Sequence, residues 1–173
     1  MEDRDPKLKE IITEAIKLEI NGREFFTRAA ESTDNSLGRK MFQRLAQEEV
    51  KHLDAFSHLF SSVIKSADWK KLVKKEELEG KSPVIEELAL RMKKAAGKSD
   101  LEALSIGMEL EQKAIEFFKN TAEGSSNPEV KEIFEKIAEE ERFHYDLLQA
   151  QHDSLTNSGF WLDSAEFQMD GKY

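Results

Sequence analysis

Residues 48–54 read Glu48-Glu49-Val50-Lys51-His52-Leu53-Asp54, and residues 140–146 read Glu140-Glu141-Arg142-Phe143-His144-Tyr145-Asp146, the same Glu-Glu-x-x-His-x-Asp pattern 92 positions further on. Extended to residues 18–54, that offset gives fourteen identities in thirty-seven gapless positions, among them Leu18/Leu110, Glu19/Glu111, Phe26/Phe118, Asn35/Asn127, Phe42/Phe134 and Ala46/Ala138. Random matching would give about two or three. The chain therefore reads as one helical hairpin used twice, its halves related by a pseudo-twofold.

Working outward, each half divides into two amphipathic helices. Asp5-Pro6 suits a cap followed by proline at the first helical position, after which Ile11, Ile12, Ala15, Ile16, Glu19, Phe26 and Ala30 share one face. Asn35 is the expected cap of helix two, which carries Phe42, Leu45, Ala46, Glu49, His52 and Phe56 on one stripe, and Asn127-Pro128 opens helix four. Ser99-x-x-Glu102 has capping-box spacing and leads to Leu104, Met108, Glu111 and Phe118. The turns near 32–35 and 124–127 are short, so each hairpin is antiparallel. The expected architecture is all-α, a ferritin-like four-helix bundle forming a single domain over residues 1–173. Its hairpins span about 6–60 and 99–152, joined by one long crossover of about 61–98, where Ser82-Pro83 is expected to cap an extra short helix. A tail, 153–173, carries Phe160, Trp161 and Phe167, read as packing on the bundle or a neighbour, with a lid near the site as the alternative.

Composition agrees with long solvated helices: 39% hydrophobic, 35% charged, 3 prolines and 8 glycines in 173 residues. A net charge of −9 disfavours nucleic acid, and the short basic runs alternate with acids. With no secretory pattern and no apolar stretch of membrane-spanning length, a cytoplasmic protein without membrane partners is expected. The absence of cysteine excludes disulfides and thiolate ligands, so any metal must be held by nitrogen and oxygen.

Residues three apart on a helix lie about 60° apart in azimuth and about 4.5 Å in rise, so Glu49 and His52, like Glu141 and His144, address one point. One Glu-x-x-His is a weak signal, but its repetition together with Glu19 and Glu111 is a strong one. Four ionised carboxylates on apolar stripes without counter-charge would cost far more than about 10 kcal/mol. Two dications would cancel them, and two neutral imidazoles would complete the shells. The expected metal ligands are Glu19, Glu49, His52, Glu111, Glu141 and His144. Glu48 and Glu140 are read as solvent-facing or helix-pairing, Asp54 and Asp146 as pointing elsewhere, and His58 and His152 as surface residues.

A glutamate from each of two helices plus Glu-x-x-His from each of the other two is the ligand set of di-iron and di-manganese bundles. Over residues 8–150 the sequence resembles the rubrerythrin branch of the ferritin-like family, through Glu19-x6-Phe26, Glu49-x-x-His52, Glu111-x6-Phe118 and Glu141-x-x-His144. Phe26 and Phe118 stand where that family has tyrosines. Ala114, with Gly22 as its mate, stands where it has an extra carboxylate, so redox-linked ligand exchange is not expected; these small residues fit either helix packing or a space for a small oxidant. No cysteine-rich rubredoxin module is present.

The resemblance implies a non-haem di-iron oxidoreductase holding two Fe ions, with Fe–Zn and Mn–Mn left open. It would reduce hydrogen peroxide or dioxygen in oxidative-stress defence, taking electrons from a separate donor protein. Glu49 and Glu141 would bridge, Glu19 and Glu111 would serve mainly one metal each or shift between modes, and each histidine would cap one ion. A homodimer is expected. The alternatives are a ferroxidase that handles iron in a hollow assembly, and a non-catalytic structural or sensing bundle stabilised by metal.

Overall fold

The computed structural model describes residues 6–64, 90–91 and 99–163. They form four helices: α1 (Pro6–Ser32), α2 (Ser36–Ile64), α3 (Ser99–Gly124) and α4 (Pro128–Ser158). α1 packs along α2 and α3 along α4, while α1 meets α3 and α2 meets α4 across the hairpins. This is the all-helical, ferritin-like bundle that the repeat implies. Asp5, the proposed Ser82-Pro83 cap with its short helix, and Phe167 lie outside the described residues.

The two hairpin turns are built alike. Asn35 Oδ1 accepts from the backbone N–H of Leu37 at 2.9 Å and of Gly38 at 3.1 Å. Asn127 Oδ1 accepts from Glu129 at 2.9 Å and Val130 at 3.3 Å. Each cap satisfies two of the N–H groups that a helix start leaves without partners. Ser99 opens α3, and Glu102 in its first turn accepts from Arg91 Nε at 2.8 Å, tying part of the connection to the bundle.

The apolar interior falls into two clusters. One joins Ile12, Ile16, Phe56, Phe118, Phe134 and Ile137 with their neighbours; the other joins Phe26, Phe42, Leu45, Leu104, Leu147 and Leu148 with theirs. Repeat mates are divided between them: Phe26 and Phe42 stack in one at 6.4 Å, Phe118 and Phe134 meet edge to face in the other at 5.5 Å. Neither cluster contains the carboxylates of Glu19, Glu49, Glu111 and Glu141, although all four are buried.

After α4 the chain turns at Gly159, whose φ of 76° suits a residue without Cβ and whose N–H closes on Leu155 O at 3.0 Å. The buried Gln151 then pins the tail, accepting from Leu162 N at 2.9 Å and donating to Leu162 O at 2.8 Å. Trp161 packs into the second cluster, edge to face with Phe42 at 6.0 Å, whereas Phe160 is 75% exposed. Of the two readings of the tail, packing on the bundle holds for Trp161.

The indole needs Gly38, where a Cβ would lie 2.8 Å from its ring. Gly38→Ala is therefore expected to cost about 1–3 kcal/mol in urea unfolding through overpacking. In a Trp161→Ala background the same change should be neutral or stabilising by up to about 1 kcal/mol, since alanine is the better helix former. A double-mutant cycle that shows no coupling would contradict the contact.

Candidate metal centre

Glu19 on α1, Glu49 and His52 on α2, Glu111 on α3, and Glu141 and His144 on α4 are all buried, at 1–3% exposure, and converge between the apolar clusters. All six side chains singled out in the sequence meet there. The helical period explains it, since Glu and His three apart face inward together from α2 and again from α4.

The six form two groups. His52 Nδ1 lies 3.1 Å from Glu19 Oε2, 3.1 Å from Glu141 Oε1 and 3.7 Å from Glu49 Oε2. His144 Nδ1 lies 2.9 Å from Glu141 Oε2, 3.4 Å from Glu111 Oε1 and 3.6 Å from Glu49 Oε1. Glu49 and Glu141 thus address both groups with different oxygens, while Glu19 and Glu111 address one each. The imidazoles stand 5.9 Å apart and nearly parallel, at 22°.

One nitrogen carries at most one proton, so it cannot serve three carboxylate oxygens at once. Glu19 Oε1, Glu111 Oε1 and Glu141 Oε1 are accordingly buried without a hydrogen-bond donor. Donor atoms about 2.0–2.2 Å from a shared cation sit roughly 3–4 Å apart, which is the spacing found around each Nδ1, and within each group the possible ligand atoms all lie within 4.8 Å of one another. The orphaned oxygens and the nitrogen and oxygen donor set fit two cations.

The outer nitrogens decide which ring atom faces the centre. His52 Nε2–H donates to Glu140 Oε2 and His144 Nε2–H to Glu48 Oε2, both at 2.6 Å and each across to the opposite hairpin. An ionised carboxylate only accepts, so each Nε2 bears the proton and, in the neutral ring, Nδ1 keeps its lone pair for the centre. Glu48 and Glu140 are the functional residues the sequence reading undervalued. They do pair helices, as one of its readings held, but through the histidines. Their signal was recurrence at the 92-residue offset, together with a basic residue one turn earlier, Arg44 or Lys136. Asp54, Asp146 and His58 are exposed and His152 is partly so, in keeping with their expected places outside the centre.

Gly22 corrects the idea of an oxidant space. A Cβ there would lie 3.3 Å from Glu49 Cδ, so the volume beside Gly22 is taken by the Glu49 carboxylate, and Ala114 packs within the first apolar cluster.

Protons substitute for cations in the metal-free cluster. Burial, then the charges of Glu49 and Glu141, hold Glu19 well above the ordinary carboxylate value of 4.5. Burial, then Glu141 and Glu49, do the same to Glu111. For Glu141 burial pushes upward, but the neighbouring His144 and His52 imidazoles outweigh it and hold it well below 4.5. Glu49 is likewise lowered, burial and the charge of Glu141 being outweighed by the neighbouring Glu19, His144 and His52. Burial alone would lower the imidazoles, yet the surrounding carboxylates hold both far above 6.5. Glu49 and Glu141 are thus shifted toward the charged form beside two imidazoles held high, and Glu19 and Glu111 toward the neutral acid.

Comparison with known proteins follows the same lines. The family model for rubrerythrin matches residues 10–152. Among solved structures, a hypothetical protein from Pyrococcus furiosus is 27% identical, covers 87% of this chain and 90% of its own, and superposes with a TM-score of 0.65. No curated protein matches. Among the described residues no helix is long and apolar enough to cross a membrane.

Filling the centre with two dications should expel the protons of Glu19, Glu111, His52 and His144, about four in all. Metal affinity should therefore rise with pH. For the metal-free protein the sign is opposite: these four groups have raised folded values, so their contribution is complete at low pH and is lost as pH climbs through those values. Melting temperatures of metal-free chain are expected to fall from pH 6.5 to pH 9 relative to metal-loaded chain, and the gap between the two should widen. A gap that narrows with pH would contradict the proton inventory.

Proposed function

The chain belongs to the rubrerythrin family, and from that premise we propose that it is a non-haem di-iron oxidoreductase. It reduces hydrogen peroxide to water, with dioxygen as the alternative oxidant and a separate protein as electron donor. The supporting observation is the split of the Glu49 and Glu141 oxygens between the two imidazole nitrogens, which suits a pair of neighbouring ions rather than one. Two iron ions, when bound, would supply both electrons that peroxide requires.

Everything else is the work of the protein's side chains. Glu49 and Glu141 would span both positions and keep them adjacent. Glu19 and His52 would complete one position, Glu111 and His144 the other. The four carboxylates would match four positive charges, so the centre would form without net charge in an apolar interior. Phe26, Phe42, Phe56, Phe118 and Phe134, all at 0% exposure, keep bulk water from the ligands on both sides. None of these 173 residues is a cysteine, so they cannot themselves hold a rubredoxin-type iron, and a separate donor protein fits the proposal.

The test of the reaction is to load the chain anaerobically with ferrous ion and mix it with peroxide. Oxidation of two irons per chain faster than free iron is expected; a rate equal to that of free iron would overturn the oxidoreductase reading.

Ligand roles are checked by metal content. Glu19→Ala and His52→Ala should each reduce binding from two ions per chain to one, sparing the His144 group, and Glu111→Ala should spare the His52 group. Glu49→Ala, which removes an oxygen from both groups, should weaken both. Equal loss in all four variants, measured by elemental analysis after gel filtration, would contradict the division into spanning and terminal carboxylates.

A further inference from the structure

The repeat that creates two positions does not make them equal. Glu48 Oε2 accepts from His144 Nε2 at 2.6 Å, and its other oxygen accepts from Arg44 Nε at 3.0 Å, one helical turn earlier. Both side chains are largely covered, Arg44 at 28% and Glu48 at 25% exposure. On the other side Glu140 accepts from His52 Nε2 at the same 2.6 Å but is 44% exposed. Its counterpart to Arg44 under the 92-residue offset is Lys136, which is exposed and acts on Glu140 through space.

Arg44 reaches Glu48 through one directed Nε–H bond on a rigid planar group, whereas an ammonium on a flexible stem is a mobile point charge. Glu48 is therefore held at both oxygens and keeps the His144 ring in one orientation. Glu140 is held at one oxygen and can turn toward water, releasing the His52 ring. Arg44 also draws charge from Glu48, which makes it a weaker acceptor for His144. Glu140, 44% exposed, is open to weakening by solvent instead, and the difference that the geometry shows is in how the two carboxylates are held.

We propose that Arg44, acting through Glu48, is a positioning residue that makes the His144 position the tighter of the two, so that ions enter it first and leave it last. This rests on the two-ion reading given above. Arg44 keeps the arrangement even though its Nη1 is buried without an acceptor, as expected of a side chain held by its contact with Glu48.

The test is titration of metal-free full-length chain with cobalt(II), followed by its visible absorption and by calorimetry. Wild-type chain should bind in two steps, the tight one abolished by His144→Ala and the weak one by His52→Ala. Arg44→Met should weaken the tight step by about 10–100-fold, the usual effect of removing support behind a ligating histidine, and leave the weak step unchanged. Arg44→Lys, which keeps the charge but not the directed Nε–H donor, should show a milder form of the same loss. Lys136→Met should move neither step. Fewer than two ions bound by wild-type chain would overturn the two-ion reading itself. Two ions bound with equal affinity, or a tight step indifferent to both Arg44 variants, would overturn only the role of Arg44.

Discussion

A carboxylate shut into an apolar interior must have positive charge or a proton beside it, and four of them at the middle of this bundle govern the rest of the structure. Glu19, Glu49, Glu111 and Glu141 are among its most buried side chains. Their presence splits the core into two apolar clusters with a polar layer between. Packing of phenylalanine and leucine on both sides supplies the stability that such a layer consumes. The layer in turn favours positive charge: Glu19, Glu111 and both imidazoles hold their protons more tightly than free groups do, and the same side chains are spaced to suit cations.

The duplicated hairpin is a direct way to reach that charge balance. One helix pair contributes two carboxylates and one imidazole to the interior, and a second copy related by a pseudo-twofold doubles both. The symmetry is kept where the layer needs it, at the ligands, at the Glu48 and Glu140 supports, and at the Asn35 and Asn127 caps that set where α2 and α4 begin. It is relaxed one step away, at Gly22 against Ala114 and Arg44 against Lys136. At Gly22 an added Cβ would lie 3.3 Å from Glu49 Cδ, so even small departures from symmetry bear on the residues that span the centre.

What could be read from the sequence follows from the range of each interaction. Helices, the Asn35 and Asn127 caps and the inward set were legible because each depends on spacing along one helix: three residues for Glu-x-x-His, two or three for each asparagine and its N–H partners. The family resemblance rests on those same short spacings. Bonds from Glu48 to His144 and from Glu140 to His52 join residues 96 and 88 positions apart on different helices, and a residue adjacent to Glu49 points about 100° away from it on the helix. Spacing alone therefore placed Glu48 and Glu140 outside the centre. The fit of Trp161 over Gly38 was equally hidden, since the tail has no periodicity and the need for glycine arises only when the indole folds back. Which carboxylates face both nitrogens depends on side-chain rotamers, and there the resemblance supplied the expectation that the distances now support.

Phe26 and Phe118 carry the argument one step further. In the family pattern tyrosines stand at these places, and their hydroxyls would support ligand carboxylates. Here both rings are wholly buried in the apolar clusters, against Phe42 on one side and against Phe56 and Phe134 on the other. They bring no hydroxyl to the polar layer, and Glu19 Oε1 and Glu111 Oε1 are left without donors. An unsatisfied buried oxygen costs about 1–3 kcal/mol, more when charged, and a cation or a proton relieves that cost where a hydroxyl is missing. With phenylalanine in place of tyrosine, the hydrogen bonding of these oxygens falls to whatever enters the layer, which ties the stability of the bundle more closely to its occupancy.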